Sequence, residues 1–246
     1  MRFFLEISFT GTNYSGWQIQ KNAHSVQAEI NQALSALLSN QIKTTGCGRT
    51  DAGVHAKQFF LHFDTDKNPP EDFLYKLNRM LPDDIAAHRL IPVEPHARSR
   101  QDATERTYEY HAHLKKDPFL NNFSFYFPFG NPDIRQMQEA AHLLKSFKDF
   151  KPLSKTDTVE KTTLCNIYSS EWNMIDENRL RYTITADHFL RGMVRLIVGA
   201  MLMIGTDKMT LEEFISVMKK KRKFRYIMAV PGCGLSLVRV KYPYLK

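Results

Sequence analysis

The segment FLRGMVRLIVGAMLMIG, residues 189 to 205, constrains the fold more than any other stretch. At about 1.5 Å of rise per residue it is too short for a comfortable membrane span, and Arg191 and Arg195 interrupt it. A helix that is apolar on nearly every side, yet too short and too charged for lipid, belongs inside a globular protein. The rest of the chain must supply sheet and helices to cover it. With 246 residues, 43% of them hydrophobic, there is material for one large domain or two modest ones.

RFFLEISF alternates, with Phe3, Leu5, Ile7 and Phe9 on one face, so the start reads as a strand rather than a signal peptide. The polar loop GTNYSGWQIQ follows. Val26, Ile30, Ala33, Leu34, Leu37 and Leu38 then fall at helical spacing behind Ser25, a plausible N-cap. A short strand near 41 to 45, a glycine loop and a strand at 58 to 64 come next. Pro70 can open a helix that runs through Met80, and LPDDIAAHRLIPV reads as a turn into an edge strand.

After Ala103 the pattern restarts with the strand TYEYHAHL, a Phe- and Pro-rich loop and the helix PDIRQMQEAAHLLKS. Strands near 161 to 175 and 179 to 187 precede the buried helix. A short helix after Thr210 and a last strand, SLVRVKY, complete the chain. The expected class is α+β: two domains, residues 1–102 and 103–246, each of mainly antiparallel sheet with helices packed on one side.

Lys and Arg total 34 against 26 Asp and Glu, and a net charge of +8 favours a polyanionic partner. KKKRKFR, residues 219 to 225, holds six cations in seven positions and reads either as a phosphate grip or as a solvated helix end. Cys47, Cys165 and Cys233 are odd in number and widely spaced, which indicates neither a disulfide framework nor a zinc knuckle and suits a reducing compartment. The phosphate loop, the H-E-x-x-H motif, the G-x-S-x-G elbow and the dinucleotide fingerprint are all missing. His111 and His113 form an H-x-H without further announced ligands, and read as ordinary histidines.

GCGRTDAGVHA, residues 46 to 56, places Asp51 two residues after Arg49 among three glycines. Asp and Gly are common turn residues, so a plain turn is one reading. The other joins Asp51 to two distant features. Arg195 sits in an apolar helix, where an unpaired guanidinium is costly and a carboxylate partner is expected. Arg191, one turn earlier, is a second arginine of similar direction. In RTYEY, Tyr108, Tyr110 and Arg106 share a strand face that suits either stacking on an unpaired base or capping the core.

GRTDAGVHA, with NYSGWQIQ before it and MVRLIVGAM after it, closely resembles the TruA family of tRNA pseudouridine synthases. The likeness spans nearly the whole chain and includes DATERTYEY, KDFKPLS and the terminal GLSLVRVKY. It departs from the family at AVPGCGLSL, where the usual pattern is A-P-A-x-G-L. The resemblance implies a cofactor-independent cytoplasmic isomerase, a homodimer that binds no metal. Its substrate would be tRNA, with uridines 38 to 40 of the anticodon stem-loop converted to pseudouridine, in a cleft between two related domains. Carried over, Asp51 is the catalytic aspartate, Arg195 the arginine paired with it, and Tyr108 the stacking tyrosine with a catalytic part. Arg49 and Leu235 are substrate-binding. A synthase acting on another RNA, and a non-catalytic RNA-binding module of the same fold, are the alternatives.

Overall fold

The computed structural model of the chain describes residues 1–155 and 162–245. They form two compact units: Met1–Thr104 together with Ser236–Lys246, and Glu105–Leu235. The last strand, which the sequence reading placed with the second domain, groups by its contacts with the first unit.

The first unit contains β1 (Arg2–Phe9), α1 (Val26–Leu38), β2 (Thr45–Gly46), β3 (His55–Asp64), α2 (Phe73–Met80) and β4 (Ile85–Val93). Strand order is β4-β1-β3, with β2 also against β3. Both pairings of β1 are antiparallel, and Leu5 lies between Leu61 on β3 and Leu90 on β4. β4 is the edge strand that its sequence led one to expect. The C-terminal segment returns beside β3 in parallel, His55 opposite Ser236 and Ala56 opposite Leu237. On α1, Val26, Ile30 and Leu34 are fully buried, and Gln27 and Asn31 fasten the helix to Thr44.

Three expected boundaries shift for local reasons. The strand near 41 to 45 shrinks to Thr45–Gly46, because Asn31 and Ser35 of α1 take up the backbone N–H groups of Thr44 and Ile42. β3 begins three residues early, at His55. Pro70 forms a turn, with the Phe73 N–H donating to its carbonyl at 3.0 Å, and the helix starts behind it.

The second unit contains β5 (Glu105–His113), β6 (Phe125–Tyr126), α3 (Ile134–Leu143), β7 (Ile167–Asp176), β8 (Arg179–Ala186), α4 (Met193–Gly205) and α5 (Leu211–Lys220). The sheet runs β5-β8-β7 in antiparallel pairs, with β6 parallel to β5. The expected strand from 161 begins at Ile167, and its first expected residue lies outside the described residues. The Asp133 side chain caps α3 and Thr210 caps α5, each accepting a backbone N–H of the first turn.

The apolar segment becomes α4, with eleven of its thirteen residues buried. On the sheet a row of aromatic residues lies in register: Tyr110 faces Tyr182, and Tyr182 faces Trp172. The Trp172 indole N–H points to the Met201 sulfur at 3.1 Å. At Gly199 a side chain would run into the Met228 carbonyl, so glycine admits residues 228 to 230 as a strap lying directly on the helix. Arg191 precedes α4 in an exposed turn, so it does not share the helix face of Arg195 as expected.

A final strand, β9 (Leu235–Lys241), starts at the end of the second unit and runs into the first.

Candidate active site

In the first unit Asp51 lies on the loop between β2 and β3. The Cys47 N–H donates to Phe60 at 2.7 Å where the loop leaves the sheet, and the Val54 N–H closes a turn onto the Asp51 carbonyl at 3.2 Å. A second loop, residues 10 to 18, lies against it. The Trp17 N–H sits 3.1 Å from the Thr50 hydroxyl and 3.3 Å from the Thr50 carbonyl. The Gly53 N–H donates to the Tyr14 carbonyl at 3.3 Å, and the Gly11 N–H to Nδ1 of His55 at 3.0 Å.

Gly16 makes this approach feasible. Its φ is +97°, and a side chain there would meet the Thr50 carbonyl. Trp17 is buried next to Phe59, ring centroids 4.3 Å apart. Tyr14 donates its hydroxyl to Asp84 at 2.5 Å, and Asn13 donates to the other carboxylate oxygen at 3.1 Å. Burial, reinforced by Asp84, raises the Tyr14 hydroxyl's pKa well above its ordinary value, so it stays a donor at neutral pH. The backbone on both sides of Asp51 is therefore fixed by the fold. Asp51 is half-buried, and Arg49 is exposed on the same loop.

In the second unit Tyr108 lies half-buried on β5, opposite Ile184, with its ring edge-on to Phe189 at 5.2 Å. Its neighbour on that face, Tyr110, is fully buried, which removes it from base stacking. Burial raises its pKa far above the ordinary tyrosine value, so it remains a neutral donor, bonding to the Pro231 carbonyl at 3.0 Å. Arg106 donates to the Asp187 carbonyl at 2.6 Å, a structural clamp.

Arg195 occupies the first turn of α4. Its Nε donates to the Val230 carbonyl at 2.6 Å, and the Val230 N–H returns to the Arg195 carbonyl at 3.3 Å. Val230 and Pro231 are the residues at which this chain departs from the family pattern. They join Arg195 to Tyr110 and thus to the strand of Tyr108. Leu235 is buried where β9 begins.

Arg49 and Asp51 thus share one loop of the first unit, while Tyr108, Arg195 and Leu235 belong to the second. The sequence reading missed Thr50, Tyr14 and Asp84 as supports of the aspartate loop, and Val230 as the residue that orients Arg195. Gly16 before Trp17, in NYSGW, was the available signal for the first group. His111 contacts Glu109 at 3.3 Å, and buried His113 has Nδ1 2.9 Å from the Ser124 hydroxyl. Among the described residues no cluster of three or more His, Cys, Asp or Glu is placed to hold a metal ion. None of the described helices is long and apolar enough to cross a membrane.

These elements define a class: an α+β chain with an aspartate on a rigid glycine loop and an arginine at the head of a buried helix. The chain belongs to the family described as tRNA pseudouridine synthase, whose model matches residues 7–98 and 140–243. It is 42% identical over 245 residues to tRNA pseudouridine synthase A of Parabacteroides distasonis, covering 98% of this chain and 96% of that one. The protein of the same name from Bacteroides thetaiotaomicron is 42% identical, over 98% of this chain and 91% of its own. That from Clostridium acetobutylicum is 34% identical, over 97% and 98%.

Proposed function

We propose that this chain isomerises uridine to pseudouridine in tRNA, acting on positions 38 to 40 of the anticodon stem-loop as a cytoplasmic homodimer. The family membership supports the reaction and the substrate class. The observation that carries the site is the fastening of the GRTDAGVHA loop to residues 11–17 at three points, which holds the Asp51 backbone ready for substrate.

The reaction breaks the N1 glycosidic bond, turns the uracil, joins C5 to the ribose, releases the C5 proton to water and leaves N1 to take up a proton in its place. No redox change or hydrolysis occurs. Asp51 acts as a carboxylate, either as nucleophile or as base toward a ribose proton. A base taken from a stem must leave its stack at a cost of a few kcal/mol. Arg49, exposed beside Asp51, fills the gap with its planar cation. Tyr108 stacks on the extruded uracil and assists removal of the C5 proton, and Leu235 packs near the base. Arg195 is the arginine that the family resemblance assigns to the aspartate, and Val230 orients its side chain. The two units divide the work, the first carrying the aspartate loop and the second the tyrosine strand and arginine helix.

Release of tritium from C5-labelled uridine tests this reading. Release from anticodon stem-loop RNA without added cofactor is expected. Release from another RNA only would move the activity to a different substrate, and none from any RNA would leave a binding module.

A further inference from the structure

We propose that the second unit carries a second RNA subsite, a pocket that stacks one unpaired nucleobase of the bound tRNA through Tyr226 and Phe129. This rests on the tRNA reading above and adds a contact to it.

The pocket has a volume of about 470 Å³ and is lined by Phe129, Leu202, Lys208, Arg225, Tyr226 and Met228 among others. That is within the size range of small-ligand sites, roughly 300–1,000 Å³. Two large rings stay open to solvent there, Phe129 at 53% and Tyr226 at 71% exposure. Each has a cation beside it: Lys208 Nζ is 4.8 Å from the Phe129 centroid and the Arg225 guanidinium 5.3 Å from that of Tyr226. Exposed aromatic faces interleaved with cations are the makings of a single-stranded nucleic-acid site, where the rings take bases and the charges take phosphates.

The chain's charge favours the same occupant. Arg225 ends the run Lys219–Arg225, and Lys219 and Lys220 open it in the exposed last turn of α5. A protein-docking patch is instead depleted in lysine at its centre. The pocket is separate from the arginine of the candidate active site. Leu202 and Met203 lie seven and eight residues beyond Arg195 on α4, about 10–12 Å along the helix.

The test compares Tyr226→Ala, Tyr226→Phe and Tyr226→Leu for tRNA affinity, for turnover at saturating tRNA, and for sedimentation without RNA. The exposure of Tyr226 leaves folding intact in all three. Tyr226→Ala should weaken tRNA binding roughly tenfold, a stacking contact's share. Tyr226→Phe should restore it and Tyr226→Leu should not, and saturated turnover should match wild type in all three. Wild-type affinity in Tyr226→Ala, or full rescue by leucine, overturns the proposal. Loss of a dimer with unchanged affinity for RNA also overturns it, assigning the surface to a second copy of the chain. A wild-type enzyme that forms no pseudouridine would defeat the functional reading instead, with the stacking subsite still judged by the binding series.

Discussion

Tyr14 is 4% exposed and gives its hydroxyl to Asp84, while its carbonyl receives the Gly53 N–H of the aspartate loop. A hydrogen bond to a charged group contributes about 1.5–3 kcal/mol. Tyr14→Phe should lower unfolding free energy by about that amount, read by urea denaturation, and it should loosen the Asp51 loop. A second residue sets the acid response. His62 is buried, with Nδ1 accepting from the Ser99 N–H at 3.2 Å, and burial followed by the nearby Arg2 charge holds its pKa below the usual 6.5. The folded state then binds fewer protons than the unfolded one. The stability His62 contributes is full above pH 6.5 and drains as pH falls from there through the depressed value. Melting temperatures from pH 7.5 to 5 should decline, and His62→Asn should flatten the decline. Asp51 was legible as a motif because its chemistry is written in one short stretch. Its supports were not, since Tyr14 meets Asp84 across seventy residues.

Among the elements, α4 was the most legible, its apolar run being enough to bury it. What covers it was not, because periodicity shows that a face is buried but not what it packs against. Gly199 decides that question. In an ordinary helix Gly→Ala stabilises by about 1 kcal/mol. Here the new methyl meets the Met228 carbonyl, so Gly199→Ala should instead destabilise by about 1–3 kcal/mol, the usual cost of overpacking. Moving the strap also moves Val230, which orients Arg195, so turnover should fall along with the melting temperature. A more stable, fully active variant would remove the strap from the account. The helix start was misjudged for a related reason: Gly192, with a φ of +69°, ends the turn containing Arg191 before the helix begins.

For the whole molecule, the expectation of a second domain over residues 103–246 meets a C-terminal segment, Ser236–Lys246, that groups by its contacts with Met1–Thr104. No local signal announces a pairing between residues 55–56 and 236–237. Beyond that strand, Tyr242 packs edge-on to Phe4 at 5.3 Å and to Phe60 at 5.2 Å, and donates its hydroxyl to Ser99 at 2.5 Å. Deleting residues 236–246 removes that aromatic cluster as well as the strand, and loss of one large core aromatic alone costs about 3–5 kcal/mol. The first unit should then lose protection in hydrogen exchange.

The central claim is that one carboxylate, Asp51, on a rigid loop performs the isomerisation, with tRNA gripped elsewhere. Tritium release from C5-labelled tRNA by Asp51→Asn, measured alongside tRNA affinity, tests it most directly. The account predicts no detectable turnover, with the dissociation constant within about twofold of wild type, because the substitution keeps size and removes charge. Turnover at the wild-type rate in Asp51→Asn would contradict it.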